Sequence, residues 1–433
     1  MNVKINPGKL TGTLQAPLSK SHAHRFLIAQ KLARLQGNGN ESASDVPSFS
    51  QDIEATKNCL VQLDKKKPFL DCWESGSTLR FMLPVAMALK KEAVFLGTGQ
   101  LPYRPISPLK EEMELHGCSF TMKNSPPKAG NRHMEICTVR GRLTSGSYRL
   151  AGNISSQFIT GLLMALPLLD GDSKLELTTA LESAGYVDLT LDVLRDFGIK
   201  VNIETSPQGF YIYEIPGNQQ YIEPARTTIQ CDWSNAAFWL ACGALGGDIT
   251  LTGLELSSSQ RDKQIVHILE EMGAHITIGD ISIRCHGASL LPAEVDVSQI
   301  PDLVPVLAAI MSLADGTSMI SNAERLRLKE SDRLRTVFDF LSRLGADITD
   351  GGSGLSITGQ PSLSGGTVYG HNDHRIVMAA AVASCGCNAP VIIRGADAVA
   401  NDIHHRKKRP DIRMGRISRA GHRCRYHRYP YRD

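Results

Sequence analysis

The residues best suited to chemistry stand together near the N-terminus, in the stretch Ser19-Lys20-Ser21-His22-Ala23-His24-Arg25. Two cations and two hydroxyls lie there just before an apolar run at residues 26–35, where a polar loop is predicted to enter a helix. The first turn of a helix has unpaired N–H groups and a positive dipole, and both attract anions. The stretch therefore suits a phosphate or carboxylate ligand, although a solvated basic helix start would look the same.

Five further loops repeat this design. In each, a short polar segment precedes a helix that is apolar on nearly all sides, and such a helix must be buried. The six apolar helices are predicted at residues 26–35, 79–89, 158–169, 236–245, 303–313 and 376–384. Ser, Asp or Asn stands before each helix as a predicted N-cap. The repetition predicts parallel buried helices whose first turns converge.

A second class of helix alternates with the first. Residues 108–116, 186–197, 262–272 and 329–344 each combine an apolar stripe with a charged face. A glycine follows each of them, and strand-like alternation follows the glycine, which is typical of a helix C-cap that leads into a strand. The repeating unit is thus a strand, a buried helix, a strand, an amphipathic helix and further strands. Six such units predict an α/β protein with two lobes of about three units each.

If the first turns converge on a cleft between the lobes, cations and a few carboxylates come together there. Lys329 and Arg333 are four residues apart, so they would share one helix face with Glu330 beside it. Asp302 stands at the start of the fifth apolar helix, and Arg104 lies in a loop between two prolines. Such a site suits one or two polyanionic small molecules, with Asp302 and Glu330 available for proton transfer.

The motifs of several other functions are absent from the sequence. No GxxxxGK[ST] loop occurs, and no GxGxxG follows a predicted strand, so neither nucleoside triphosphate hydrolysis nor dinucleotide binding is expected. The ten cysteines include no CxxC pair and no Cys/His quartet, so we expect free thiols and neither a zinc site nor a disulfide framework. No apolar run approaches the length of a membrane span, and no secretory or transit segment opens the chain. A cytoplasmic location is therefore expected.

The charge is distributed unevenly along the chain, whose formal net charge is +3. Residues 401–433 contain 11 Lys and Arg against 3 Asp and Glu. The preceding 400 residues contain 36 Lys and Arg against 41 Asp and Glu. The body of the protein is therefore mildly acidic, and nucleic-acid binding by the body is not expected.

Several motifs occur in the order in which they are found in the 3-phosphoshikimate 1-carboxyvinyltransferases, also called 5-enolpyruvylshikimate-3-phosphate synthases. They are Ser19-Lys20-Ser21 with Arg25, Ser155-Ser156-Gln157, Pro301-Asp302, Lys329-Glu330-Ser331-Asp332-Arg333 and Asn372-Asp373-His374-Arg375. The chain resembles this family over about residues 1–400. The resemblance implies a two-lobed enolpyruvyl transferase fold of six βαβαββ repeats around buried parallel helices. It implies a first lobe at residues 19–229 and a second lobe at residues 1–18 and 230–400, with three repeats in each.

The resemblance also implies an activity. The enolpyruvyl group of phosphoenolpyruvate would move to the 5-hydroxyl of shikimate 3-phosphate, with release of phosphate, in the biosynthesis of chorismate and aromatic amino acids. The family uses no metal or organic cofactor, glyphosate competes with its phosphoenolpyruvate, and a monomer is expected. The sister enzyme that acts on UDP-N-acetylglucosamine is an alternative, but it usually has a cysteine in the loop at residues 101–108, and this chain has none.

Carried over residue by residue, the resemblance implies three groups of site residues. The expected catalytic residues are Lys20, Asp302 and Glu330. The residues expected to bind shikimate 3-phosphate are Lys20, Ser21, Arg25, Ser155, Ser156, Gln157, Ser183, Asp302 and Lys329. The residues expected to bind phosphoenolpyruvate are Lys20, Gly76, Arg104, Gln157, Arg333, His374 and Arg375.

The chain departs from the family pattern at two places. Arg325 stands where the family often has an asparagine that contacts shikimate. After residue 399 the family continues with a lysine that contacts phosphoenolpyruvate, whereas here an Arg-rich segment follows. Our hypothesis is that residues 401–433 are read in a shifted frame. If this tail is genuine, we expect it to be disordered and able to bind polyanions. A catalytically impaired member of the family, or a binding protein that acts through its tail, is then the alternative.

Overall fold

The computed structural model describes residues 1–40, 46–123, 133–225 and 228–401. The chain divides into two compact units, one formed by Ser19–Ile229 and the other by Met1–Leu18 together with the chain from Gln230 onward. In the described ranges, no helix is both long and apolar enough to cross a membrane. The Arg-rich tail after Asn401 lies outside the described residues, so its frame shift and its disorder stay predictions.

The secondary structure consists of short strands and eleven α-helices in the described ranges. The strands are β1 (Asn2–Ile5), β2 (Thr11–Gln15), β3 (Phe69–Asp71), β4 (Glu92–Gly97), β5 (Cys118–Met122), β6 (Met134–Gly141), β7 (Ser147–Leu150), β8 (Ser173–Leu177), β9 (Asn202–Thr205), β10 (Tyr211–Ile215), β11 (Asp248–Thr252), β12 (His275–Ile278), β13 (Ser282–His286), β14 (Glu294–Asp296), β15 (Thr317–Ser321), β16 (Asp347–Asp350), β17 (Leu355–Thr358), β18 (Gly366–Tyr369) and β19 (Val391–Arg394). The helices are α1 (Lys20–Leu35), α2 (Gln51–Gln62), α3 (Gly76–Leu89), α4 (Leu109–Leu115), α5 (Ser156–Ala165), α6 (Ala184–Asp196), α7 (Trp233–Ala244), α8 (Ile265–Glu271), α9 (Val304–Met311), α10 (Arg333–Arg343) and α11 (His374–Ala383).

Four copies of the order strand, helix, strand, helix, strand, strand form four four-stranded sheets. The Ser19–Ile229 unit contains the sheets β3-β4-β6-β5 and β7-β8-β10-β9, and the other unit contains β12-β13-β11-β2 and β14-β15-β17-β16. In each sheet the first strand of the repeat is parallel to the strand that follows the buried helix. In three sheets the helix alone makes this crossover connection. In the sheet β12-β13-β11-β2, the whole Ser19–Ile229 unit stands in the chain between β2 and α7. The last two strands then add as an antiparallel hairpin.

Within the described ranges, the two remaining repeats have fewer strands than the other four. In one, β18 and β19 are parallel around α11, and β1 pairs antiparallel with β19, so the first residues of the chain complete its sheet. In the other, α1 and α2 pack together, and no strand is present in the described residues between Ser19 and Pro68. The α/β class and the repeated order agree with the prediction.

The six predicted apolar helices are present as α1, α3, α5, α7, α9 and α11, and they lie in two hydrophobic cores, one in each unit. Five of them have a side-chain N-cap, as predicted. These caps are Ser19, Ser75, Ser155, Asp232 and Asp373. The prediction was wrong for α9, because the 3₁₀ turn Pro301–Leu303 runs directly into the helix and no side chain caps it. The turn satisfies the first N–H groups with backbone bonds instead.

The amphipathic helices are α4, α6, α8 and α10, and the glycine predicted after each is present. Gly198 and Gly345 follow α6 and α10 with φ of +78° and +89°. Glycine suits this left-handed conformation because it has no Cβ to clash with the backbone. The chain then turns into β9 and β16, as the sequence predicts.

The start of α10 differs from the prediction. The helix begins at Arg333, because the Asp332 carboxylate caps it by accepting a hydrogen bond from the Arg335 N–H at 3.0 Å. Lys329 precedes the helix in extended backbone. The prediction that Lys329 and Arg333 share one helix face was therefore wrong.

Candidate active site

Lys20 is the first residue of α1, directly after the Ser19 cap. Its Nζ lies 3.0 Å from Oδ2 of Asp52, in the first turn of α2, and the two side chains are 17% and 20% exposed. Because this pair is largely shielded from solvent, it fixes the direction of the Lys20 ammonium more firmly than a surface pair would. Helix α2 therefore positions Lys20.

One turn further along α1, a chain of buried polar groups joins three helices. His24 Nδ1 lies 2.7 Å from Thr56 Oγ1, which lies 2.7 Å from Thr78 Oγ1, and the Thr78 hydroxyl donates to Ser75 Oγ at 2.7 Å. Burial, together with the charges of Lys20 and Arg25, keeps the pKa of His24 well below its ordinary value, so the imidazole is neutral. The chain links α1 through α2 to the first turn of α3.

Arg80 binds both Gln157 and the loop that carries Arg104. Arg80 donates from Nη1 to Gln157 Oε1 at 2.6 Å and from Nη2 to the Pro105 carbonyl at 3.0 Å. The Gln157 amide donates to Ser77 Oγ at 2.9 Å. A Cβ added at Gly76 would lie 2.8 Å from Nη1 of Arg104. Glycine at this position therefore allows the Arg104 guanidinium to lie against the first turn of α3.

Arg25 is buried inside the Ser19–Ile229 unit and bonds to neutral oxygens. Its Nε donates to Thr190 Oγ1 at 2.8 Å, and Nη2 donates to Thr160 Oγ1 at 3.2 Å and to the Tyr186 carbonyl at 2.9 Å. Nη1 donates to the Ser21 carbonyl at 2.6 Å. Burial lowers the pKa of Arg25 to about 9. A buried cation among neutral oxygens is suited to an anionic ligand.

The predicted serines occupy the first turns of α5 and α6. Ser155 caps α5 by accepting a hydrogen bond from the Gln157 N–H at 3.3 Å, and Ser156 is buried at the first position of that helix. Ser183 is buried just before α6 in a left-handed conformation with φ of +54°. A non-glycine residue in this conformation costs free energy, and such strain is concentrated at functional sites.

The second unit places three carboxylates around Arg333, whose side chain is 2% exposed. Its Nη1 donates to Asp302 Oδ1 at 2.7 Å, its Nη2 to Glu330 Oε2 at 2.6 Å and its Nε to Asp373 Oδ2 at 2.8 Å. Burial alone would lower the pKa of Arg333, but the three carboxylates outweigh it and raise the pKa above the ordinary value. The guanidinium thus holds Asp302, Glu330 and Asp373 in fixed directions.

Asp302 is the acceptor for three cations. Besides Arg333, Arg375 donates from Nη2 to Oδ2 at 3.3 Å and from Nη1 to the backbone carbonyl at 3.3 Å. Lys329 Nζ lies 3.7 Å from Oδ1. Lys329 and Arg333 therefore meet at Asp302, although they do not share a helix face. Burial and the neighbouring Arg333 and Arg325 lower the pKa of Lys329, and Asp302 opposes them. Three cations therefore converge on one carboxylate.

His374 and Arg375 are buried in the first turn of α11. Asp373 caps this helix by accepting a hydrogen bond from the Arg375 N–H at 3.0 Å, and the same carboxylate accepts from Arg333. Burial raises the pKa of Asp373, but Arg333 outweighs it and lowers the pKa below the ordinary value. A single buried carboxylate thus joins the first turns of α10 and α11.

The predicted residues therefore form two groups, each within one unit. The Lys20 group lies in the Ser19–Ile229 unit and contains Lys20, Ser21, Arg25, Gly76, Arg104, Ser155, Ser156, Gln157 and Ser183. The Asp302 group lies in the other unit and contains Asp302, Lys329, Glu330, Arg333, His374 and Arg375. In the described ranges no group of three or more His, Cys, Asp or Glu residues is arranged to hold a metal ion.

Comparison with known proteins identifies the family. The family model described as EPSP synthase (3-phosphoshikimate 1-carboxyvinyltransferase) matches residues 64–402. The chain belongs to the EPSP synthase family. A 3-phosphoshikimate 1-carboxyvinyltransferase of Clostridium kluyveri is 42% identical over 416 residues, which cover 92% of this chain and 93% of that protein. One of Clostridioides difficile is 37% identical over 446 residues, which cover 96% and 98%.

Solved structures of EPSP synthases and related transferases share the fold. The EPSP synthase of Acinetobacter baumannii superposes with a TM-score of 0.72 at 22% identity, over 93% of this chain and 96% of that one. The enolpyruvyl transferase NikO of Streptomyces tendae gives a TM-score of 0.67 at 16% identity, over 93% and 95%. The enolpyruvyl transferase fold expected from the sequence is thereby confirmed.

Four charged residues of this EPSP synthase family member were missed as site residues in the sequence. Arg80 and Asp52 hold Gln157 and Lys20, and Asp373 holds Arg333. Asp373 stands inside the quoted Asn-Asp-His-Arg motif, so the motif itself was a signal for it. Arg80 and Asp52 belong to helix patterns that any buried or amphipathic helix could show, and their contacts depend on the fold.

Asp262 is the fourth missed residue. It is buried in the 3₁₀ turn before α8 and accepts a hydrogen bond from the Ser234 hydroxyl on α7. Burial and the nearby Asp302 raise the pKa of Asp262 to about 7, although Arg375 and Ser234 oppose them. Asp262 therefore interacts electrostatically with Asp302 and Arg375 of the Asp302 group, and its carboxyl stays protonated in mildly acidic solution.

We expect Asp262 to give the unfolding free energy a pH dependence. Its pKa is near 3.8 when unfolded and about 7 when folded, so between these values the folded state binds the extra proton. Stability should therefore fall as the pH rises from about 4 to about 7, with a slope of at most about 1.4 kcal/mol per pH unit from this group. Urea unfolding of the wild type and Asp262→Asn, measured from pH 5 to 8, isolates the contribution as their difference.

The exposed Asp280 provides the control for this measurement. Asp280→Asn should keep the wild-type pH dependence, whereas Asp262→Asn should flatten it. Parallel curves for all three proteins would show that Asp262 titrates normally.

Proposed function

We propose that this protein transfers the enolpyruvyl group of phosphoenolpyruvate to the 5-hydroxyl of shikimate 3-phosphate and releases phosphate. It would act in the shikimate pathway, toward chorismate and the aromatic amino acids. Its relatives are named for this reaction, and the chain aligns with nearly their whole length. The geometric observation that carries the proposal is the convergence of Arg333, Arg375 and Lys329 on the buried Asp302.

The chemistry of the substrates fits the charges of the two groups. Each phosphate carries about −1.5 to −2 charges at neutral pH, and each substrate also has a carboxylate. We propose that the cations Lys20, Arg104, Arg333 and Arg375, with Gly76, Gln157 and His374, bind phosphoenolpyruvate. The residues proposed for shikimate 3-phosphate are Lys20, Ser21, Arg25, Ser155, Ser156, Gln157, Ser183, Asp302 and Lys329. Arginine suits this task because its planar donors match carboxylate and phosphate oxygens in pairs.

The proton transfers are assigned to the three proposed catalytic residues. Asp302 would accept the proton of the 5-hydroxyl, because its carboxylate is the group on which Arg333, Arg375 and Lys329 converge. Glu330 and Lys20 would exchange protons with the methylene carbon of phosphoenolpyruvate as the tetrahedral adduct forms and collapses. Arg333 supports both carboxylates, because one guanidinium binds Asp302 and Glu330.

The experiment that tests the function is phosphate release from phosphoenolpyruvate by the purified full-length chain. Release should require shikimate 3-phosphate and should be absent without an acceptor. UDP-N-acetylglucosamine, the acceptor of the sister enzyme, should give no release. Release with that nucleotide sugar alone, or with neither acceptor, would overturn the proposal.

Gly76→Ala should raise the KM for phosphoenolpyruvate by about tenfold with little change in stability. The new methyl group would meet Arg104 at 2.8 Å, and the flexible guanidinium can move away at little cost to the fold. The displaced cation would weaken one charge-assisted hydrogen bond to the substrate. Steady-state kinetics and a melting curve measure both effects. Gly8→Ala is the matched control, because a Cβ there meets no atom within 4 Å.

Glyphosate at millimolar concentration should inhibit the enzyme in competition with phosphoenolpyruvate. The missing Cβ of Gly76 lets the Arg104 guanidinium lie against the first turn of α3, and the same cations that bind phosphoenolpyruvate would bind a phosphonate. Initial rates at several concentrations of phosphoenolpyruvate show whether inhibition is competitive. Full activity in millimolar glyphosate would mean that the binding site has a different shape.

We further propose that the enzyme is a monomer in the cytoplasm. The nine cysteines in the described ranges are unbonded, which suits a reducing compartment. Light scattering after size-exclusion chromatography should give the mass of one chain, 47.2 kDa. A larger mass that persists on dilution would contradict the monomer.

A further inference from the structure

Two cysteines from distant parts of the sequence meet in the unit that contains Asp302. Cys242 lies near the end of α7, and Cys385 lies in the 3₁₀ turn Ser384–Gly386 that follows α11. Their sulfur atoms are 4.0 Å apart, although 143 positions separate them in the chain. A disulfide bond needs about 2.05 Å between the sulfurs, so about 2 Å of approach remains. Rotation about the Cα–Cβ bonds can supply movement on this scale.

The two thiols differ in access. Cys242 is buried, whereas Cys385 is partly exposed, and it is the only partly exposed cysteine among those in the described ranges. The contact with Cys242 lowers the pKa of the Cys385 thiol, and the pKa of Cys242 is raised by the same contact and by burial. Because the thiolate is the nucleophile, Cys385 is the residue that an external reagent would reach first.

The neighbouring Cys387 is different. It is buried, its thiol donates to the Ala383 carbonyl at 3.3 Å, and burial raises its pKa to about 11. It is two residues from Cys385, so it shares the same local sequence and the same turn. Cys387 therefore serves as a matched control for the specificity of any reaction at Cys385.

We propose that Cys242 and Cys385 form a reversible disulfide site, oxidised by low-molecular-weight disulfides such as oxidised glutathione. The Cys385 thiolate attacks one sulfur of the reagent, forms a mixed disulfide and expels one glutathione thiolate. The Cys242 thiol then loses its proton to solvent and attacks the Cys385 sulfur, which breaks the mixed disulfide and releases the second glutathione. Two protein thiols are oxidised, and one glutathione disulfide is reduced to two thiols.

The cross-link would join α7 to the turn after α11. The residues of α11 in the proposed active site lie at its opposite end, where Asp373, His374 and Arg375 form the first turn. The disulfide therefore uses no residue of the catalytic machinery, and the proposal stands independently of the proposed function.

The test treats the folded full-length chain with oxidised glutathione, blocks the remaining thiols and maps the peptides by mass spectrometry. All proteins carry Cys424→Ser, because Cys424 lies outside the described residues. The expected product is one peptide pair joined through Cys242 and Cys385, lighter by two hydrogen atoms than the separate peptides. Dithiothreitol should restore both thiols.

Variants test each step. Cys242→Ser should stop the reaction at a stable glutathione adduct on Cys385, because no second thiol resolves it. Cys385→Ser should leave Cys242 unmodified, since burial protects it, and Cys387→Ser should form the same cross-link as the parent protein. Formation of the cross-link only after unfolding in urea, or a glutathione adduct on Cys385 that persists in the parent protein, would overturn the proposal.

Discussion

Asp302→Ala should lower kcat by at least about 10²-fold while the fold is retained. A positioned general base typically contributes 10²- to 10⁴-fold to a proton transfer, and the substitution removes the carboxylate proposed for the 5-hydroxyl. The fold should survive because Arg333 keeps Glu330 and Asp373 as partners. Phosphate release at saturating concentrations of both substrates measures kcat, and circular dichroism with a urea titration measures folding.

The exposed Asp315, in the loop between α9 and β15, provides the control. Asp315→Ala should leave both kcat and stability unchanged. If Asp302→Ala retained wild-type turnover, Asp302 would have no part in proton transfer. If kcat fell only together with the urea midpoint, the residue would be structural, and the assignment would be lost.

Arg333→Met should lower the free energy of unfolding by about 3–5 kcal/mol and abolish activity. Breaking a buried ion pair by removing one partner is strongly destabilising, because it leaves a buried charge without its compensating charge. Asp373 would lose the guanidinium that binds it, whereas Asp302 would keep Arg375 and Lys329. Here one guanidinium serves three carboxylates, and Asp373 is fully buried. Urea unfolding at neutral pH measures the change.

Two comparisons separate this effect from a general loss of charge. Arg343→Met removes an exposed arginine of the same helix, paired with Asp339 at 3.0 Å, and should cost less than about 1 kcal/mol. Arg333→Lys keeps the charge but cannot reach three carboxylates at once, so its stability should fall between those of the wild type and Arg333→Met. Equal losses at Arg333 and Arg343 would show that the buried network has no special stabilising role.

The order of helices and strands was predictable because it depends on the periodic spacing of apolar residues along the chain. Apolar positions all round a helix require burial, and a glycine after each amphipathic helix marks its end, so both helix classes and the strands that follow them could be predicted. The family motifs then added a fold that no local pattern specifies. The start of α10 was misplaced because two cations four residues apart suggest a helix, whereas the capping carboxylate of Asp332 decides where it begins.

The contacts of the charged side chains were not predictable in this way. The sequence indicated Asp302, Glu330 and Arg333 as candidates, but only the tertiary structure showed that one buried guanidinium binds both carboxylates and Asp373. Asp52 and Lys20 are 32 positions apart, and Asp262 reaches Ser234 across two helical elements. No periodic pattern or fixed spacing in the sequence indicates that the two residues of such a pair will be in contact.

The sequence by itself thus determined the two kinds of helix, the order of the repeat and the residue types available for an anionic substrate. The tertiary structure decided which charges are buried and which partners they have. The physical reason is that hydrophobic periodicity is local, whereas the energy of a buried charge depends on groups brought to it from other parts of the chain.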